Sequence, residues 1–197
     1  ISSNSYGTTT EIVATSNVSI IVSGTILKNI TASGGANFIA NNSIGEGVTD
    51  GWQIPSIVGQ DLYWVGGSGN WNDRTQWSKT SGGTGGYCSP GPNDNTFVDR
   101  GSGFTLNDKT ITLDKTSYTH NISFVDSSNP PTLTENGSQT LNIYGSSEWQ
   151  EGMGAINLSN IYYRHTGEAK TIKSNGVKLG TANSNIYFEE ENSISLL

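Results

Sequence analysis

The sequence predicts an all-β protein, and within that class a right-handed parallel β-helix with a Trp/Gly-rich capping loop. Three observations point there. Ile and Val, at 18 and 9, outnumber 10 Leu, 7 Ala and 1 Met, and β-branched side chains suit a pleated surface better than a helix. Turn formers are dense, with Ser, Thr, Asn and Gly filling 94 of 197 positions. A short Asn-Ile element also recurs at spacings near those of stacked coils. An antiparallel β-sandwich, which also has short, evenly spaced strands, is the alternative.

Residues 1–60 carry weak copies of the element, "NVSI" from Asn17 and "NITA" from Asn29, and close on "DGWQIPSIVGQ". They read as the C-terminal end of a preceding β-rich module. Residues 61–102 have no copy and are rich in Gly, Trp, Pro and Asp, as expected of a capping or junction segment. Residues 103–197 read as a β-helical repeat module. There the element appears as "NISF" from Asn121, "NIYG" from Asn142, "NIYY" from Asn160 and "NIYF" from Asn185, spaced by 21, 18 and 25 residues. Between the copies run alternating segments such as "TITLD" from Thr110 and "KTIKSNG" from Lys170. Alternation gives each strand one buried face, and a coil buries that face only by stacking on the next. The spacing therefore places Ile122, Ile143, Ile161 and Ile186 in one interior column, with the preceding asparagines bonded to one another along a corner. With no initial Met and an end in strand-like "ISLL", the chain reads as an excised piece of a longer mature protein.

Composition narrows the function classes. The net charge is −7 with no basic cluster, which argues against nucleic acid. No apolar run approaches the ~18 residues of a membrane-spanning helix. A lone cysteine, Cys88, supports no internal disulfide; it is read as a buried or incidental thiol, or as pairing outside the segment. Few Lys and Cys and an acidic balance suit a secreted or surface-exposed protein.

Chemical motifs are scarce. His120 and His165 share no motif with Ser or Cys, and one Cys with two distant His makes no zinc site. "GGSGN" is not a nucleophile elbow, and "GGTGGYC" lacks the Lys-Ser/Thr of a P-loop. Asp114, Asp126, Glu135 and Glu148 fall in different phases of the repeat, unlike the paired acids of a glycosidase, so they read as solvated turn acids. No catalytic residue is assigned. Calcium is the one plausible ion, with Asp73, Asp94 and Asp99 as weak hard-oxygen candidates that otherwise cap turns.

The stretch "YWVGGSGNWNDRTQWS" concentrates Trp64, Trp71 and Trp77 in a polar loop. Such rings can form a lid over the open end of a solenoid, burying apolar core and strand edges. Alternatively, one of them contacts a glycan from the surface, with Trp77 expected to stay the most exposed. Together with the following "CSPGPNDNTFVD", the stretch resembles a module of the gliding-motility, type IX-secreted adhesins of Bacteroidetes. The matching positions are Trp64, Gly66, Gly67, Gly69, Asn70, Trp71, Asp73, Trp77, Pro92, Asp94, Phe97 and Asp99. The resemblance implies an extracellular, cell-surface, adhesive protein without catalytic residues. Its expected partners are neighbouring modules of the same chain and surface polysaccharide.

Overall fold

The computed structural model describes residues 9–23, 25–41, 43–54, 59–154, 156–164, 169–180, 184–189 and 194–196. The chain is all-β, a β-solenoid of about 7 turns with parallel coils. It divides into two compact units, Ile1–Val58 and Gly59–Leu197.

The first unit contains β1 (Thr10–Val13), β2 (Ser19–Ser23), β3 (Ile26–Lys28), β4 (Ile30–Ser33), β5 (Asn37–Asn41), β6 (Ile44–Glu46) and β7 (Trp52–Gln53). Strand pairing is parallel throughout: β1 with β4, β2 with β5 and then β7, β3 with β6. Paired residues lie 18 to 20 positions apart in three of these pairs, as in Ser19 opposite Asn37 and Thr10 opposite Ile30, and 14 apart where Phe38 faces Trp52. Alternation in β5 buries Phe38 and Ala40 and turns Asn37 and Asn41 outward. Leu27, Ile30, Phe38, Ala40 and Trp52 form the core, with Phe38 meeting Trp52 on the next rung edge-to-face at 5.3 Å.

The second unit opens with β8 (Asp61–Trp64), β9 (Gly69–Asn70), β10 (Trp77–Ser78), β11 (Asn95–Val98), β12 (Thr110–Leu113), β13 (Ser117–Thr119) and β14 (Ile122–Phe124). It continues through β15 (Thr132–Glu135), β16 (Thr140–Ile143), β17 (Ser147–Glu148), β18 (Asn160–Tyr163), β19 (Lys170–Lys173), β20 (Asn185–Phe188) and β21 (Ile194–Leu196). Three sheets result. One runs β10-β8-β11-β14-β17-β19-β21, the second β13-β16-β18-β20, the third β9-β12-β15. All pairings are parallel except that of β10 on β8. "TITL" in β12 buries Ile111 and Leu113, and "NIYY" in β18 buries Ile161 and Tyr163. Asparagine and aspartate serve the corners because they tolerate the left-handed conformation, taken by Asp126 and Asn175 here and by Asn17 and Asn29 in the first unit.

One expectation fails. The four isoleucines do not share a column. Ile161 and Ile186 stand in register with Leu141 and Ser117, while Ile143 lies in the neighbouring column with Thr119, Tyr163 and Phe188. Ile122 is on a different sheet, between Thr96 and Ser147. The cause is unequal coil length. From β11 onward, paired residues of successive coils lie 20 to 26 positions apart, as in Leu141 opposite Ile161 and Thr96 opposite Ile122, so the motif drifts relative to the coil. A drift of two residues keeps a side chain on the same face, so burial alone does not correct it.

The interior also holds polar pairs. Thr96 Oγ1 lies 2.8 Å from Thr119 Oγ1, and Ser147 Oγ lies 2.7 Å from the Tyr163 hydroxyl. Burial pushes the Tyr163 phenol up to about 12, against the opposing pull of the Ser147 hydrogen bond.

Candidate functional site

The tryptophan loop is the densest aromatic feature of the second unit, and each ring is aimed by a separate backbone device. Trp64 ends β8 on its inward face. The chain then turns at Gly67, whose φ of 79° is a left-handed conformation that side chains rarely adopt, with Asp108 Oδ2 2.6 Å from where a Cβ would sit. The Gly67 carbonyl accepts the Trp64 Nε1–H at 2.7 Å. Trp71 follows β9 and is pinned by its own N–H donating to the Thr112 carbonyl at 2.8 Å. Asp73 caps a short 3-10 turn, Arg74–Gln76, and that turn delivers Trp77 to β10.

The three rings close on one another. Trp64 and Trp77, directly opposite in the β8–β10 pair, meet edge-to-face at 5.1 Å and 88°. Trp71 and Trp77 are 5.0 Å apart at 69°, and Trp77 Nε1 donates to the Trp71 carbonyl at 2.6 Å. All three are 0% exposed. Trp77, expected to be the most open, is as buried as the others because β10 folds back along β8 and carries it inside. Strand β10 also pairs the outer edge of β8, the first rung of its sheet. A stacking platform for sugar needs an exposed ring face, and none of the three offers one. Their geometry is that of a lid.

The calcium candidates do not converge. Asp73 accepts from Thr75 N and Thr75 Oγ1, and these bonds hold its carboxyl below the ordinary value. Asp94 accepts from Gln60 N through Oδ1 and from Gly91 N through Oδ2, both at 2.9 Å. Asp99 caps the turn Arg100–Ser102 in a reciprocal capping box with Ser102. Each carboxylate is engaged by backbone donors of its own, and among the described residues no cluster of three or more His, Cys, Asp or Glu could hold a metal ion.

The remaining acids are tied to the frame in the same way. For Asp114, burial pushes the carboxyl upward, but hydrogen bonds from the Asn72 side chain and backbone, with Lys115 nearby, leave it net below the usual range. Asp126 pairs with Arg100 at 3.0 Å on the surface, and Glu148 with Lys173 at 3.7 Å one rung on. Glu135 binds Gln139 N through one oxygen and Ser159 of the next coil through the other. Each of these four acids is engaged by partners of its own. His165 lies outside the described residues. Cys88 is an exposed free thiol rather than a buried one, because "GGYCSPGP" runs over the surface after β10.

A polar seam not evident from the sequence runs along the outside of the first sheet. Asn121 Nδ2 donates to Asn95 Oδ1 at 2.9 Å, and Asn95 Nδ2 to Asp61 Oδ1 at 2.8 Å. Ser146 N donates to Asn121 Oδ1, and Thr171 N to Ser146 Oγ. The bonded Asn corner was expected, but only Asn121 of the four motif asparagines belongs to this seam. Its other members carry no motif, and the register needed to find them is not visible in one sequence. Comparison with family models, curated proteins and solved structures finds no match to the chain.

Proposed function

We propose that this chain is a non-catalytic structural and adhesive module of a very large, repetitive bacterial cell-surface adhesin of the gliding-motility, type IX-secreted kind. It acts as a spacer or filament element that displays surface-binding regions outside the cell, with neighbouring modules of the same chain and surface polysaccharide as partners. The observation that carries this reading is where the polar side chains point. From Asp61 through Asn95, Asn121 and Ser146 to Thr171, they bond coil to coil along the solenoid. Catalysis would need the opposite, a few groups converging on a cleft. Stacked coils advance about 4.8 Å per rung, so coil number sets reach, which suits a spacer. The tryptophan motif that resembles the adhesin module serves here as a lid.

Two measurements test the proposal. Protease treatment of intact cells producing the parent protein should release peptides of this chain; release only after lysis would exclude surface display. Incubation with neutral and acidic polysaccharides should yield no new reducing or unsaturated ends. Turnover abolished by Asp114→Asn or Glu148→Gln would replace the adhesin reading with an enzymatic one.

A further inference from the structure

Two Asn-Gly pairs occur in the chain, Asn136-Gly137 and Asn175-Gly176, both on exposed turns of the second unit. Each glycine takes a left-handed φ, 82° at Gly137 and 80° at Gly176, and neither is crowded by surrounding atoms within 3.4 Å of a Cβ position. By local sequence the two pairs are equivalent. Their side chains are not. Asn175 Nδ2 donates to the Trp149 carbonyl of the preceding coil at 2.8 Å, so its carboxamide is fastened to a fully buried residue. At Asn136 the backbone is held, with N donating to the Leu113 carbonyl and the carbonyl accepting from Gln139 Nε2, but no described contact engages the carboxamide or the Gly137 N–H.

We propose that Asn136 is a site of spontaneous covalent modification in the folded protein, deamidating through a cyclic imide, and that Asn175 is protected by its hydrogen bond to Trp149. The Gly137 amide nitrogen attacks the Asn136 Cγ, forming a C–N bond while the side-chain nitrogen leaves as ammonia with the proton taken from Gly137 N–H. Water then adds to either imide carbonyl and opens the ring, giving aspartate or isoaspartate. One water is consumed and one ammonia released, and no other reagent is needed. Glycine favours the step because no side chain shields the attacking nitrogen. The product puts a new negative charge beside Glu135, whose two oxygens hold Gln139 N and the next coil's Ser159. The isoaspartate form also lengthens the backbone of the turn between β15 and β16. The modification therefore acts on the contact that ties two coils together.

The test is peptide mapping by mass spectrometry of the whole folded chain, incubated at mildly alkaline pH and sampled over days, with isoaspartate scored by its methyltransferase. Asn136 should convert at least about fivefold faster than Asn175, the factor supplied by one hydrogen bond on the reacting amide. In concentrated urea the two rates should converge, since only the fold distinguishes them. Gly137→Ala should slow conversion at Asn136 and leave Asn175 unchanged. Equal rates in the folded protein, faster conversion at Asn175, or a difference that survives in urea would each overturn the proposal.

Discussion

At the scale of single residues, the three lid tryptophans and Tyr163 carry the clearest consequences. Trp71 is fully enclosed by Trp64 and Trp77, yet its Nε1–H meets no acceptor among the described residues. Its contribution therefore comes from packing. Trp71→Ala should destabilise the second unit by roughly 3–5 kcal/mol, the usual cost of emptying a buried aromatic site. Denaturant unfolding followed by fluorescence measures this, and a loss below about 1 kcal/mol would mean that the ring is not held as described. Tyr163 sets an alkaline limit. Its phenol ionises near 10.0 when unfolded and at about 12 when folded. Stability from this group is complete below pH 10.0 and is lost as pH rises through the folded value. Tyr163→Phe should flatten the alkaline limb of the stability curve. It should also lower stability at neutral pH by about 1–2 kcal/mol, because Ser147 loses its partner. A mutant with an unchanged alkaline limb would show that the limit lies elsewhere.

At the scale of strands, the core of a rung depends on having a rung on each side. Ile143 is fully buried between Thr119 and Tyr163, whereas Ile186 is only half-buried on β20, the last strand of its sheet. Ile143→Ala should cost about 2–5 kcal/mol, and Ile186→Ala less than half of that. Equal losses would mean that β20 is covered as fully as β16. The same comparison shows what the sequence made legible. Period-two alternation identified the inward residues of β12 and β18, because facing depends only on neighbours along the strand; in β19 it marked Ile172 but not Lys170, which is equally buried, and in β16 it did not mark the buried Asn142. Sheet membership depends on turn lengths, and an Asn-Ile pair reads alike on the first sheet at Asn121 and the second at Asn142. The lid was legible because glycines and a capping aspartate flank its rings. The burial of Trp77 was not, since it rests on β10 folding back along β8, a long-range pairing that "SKTSGGTGG" does not announce.

At the scale of the whole molecule, two separate cores imply two stabilities. The first unit rests on Leu27, Ile30, Phe38, Ala40 and Trp52, and it leaves Val13 and Ile21 exposed at 65% and 59%. The second has a continuous core running from Leu62 and the lid through Trp149 to Val177. Burial on folding scales with size, so a unit of under 60 residues with five buried core residues among those described is the weaker of the two. Unfolding should therefore depart from a single two-state transition. The tryptophans provide a reporter, because Trp52 lies in the first unit and Trp64, Trp71, Trp77 and Trp149 in the second. In a chain with those four changed to Phe singly or in pairs, the signal from Trp52 should move at lower denaturant than the signal lost in each variant. Phe38→Ala, which removes the ring packed on Trp52, should bring the early transition forward and leave the later one in place. A shift of both transitions together would show that the units unfold as one cooperative body.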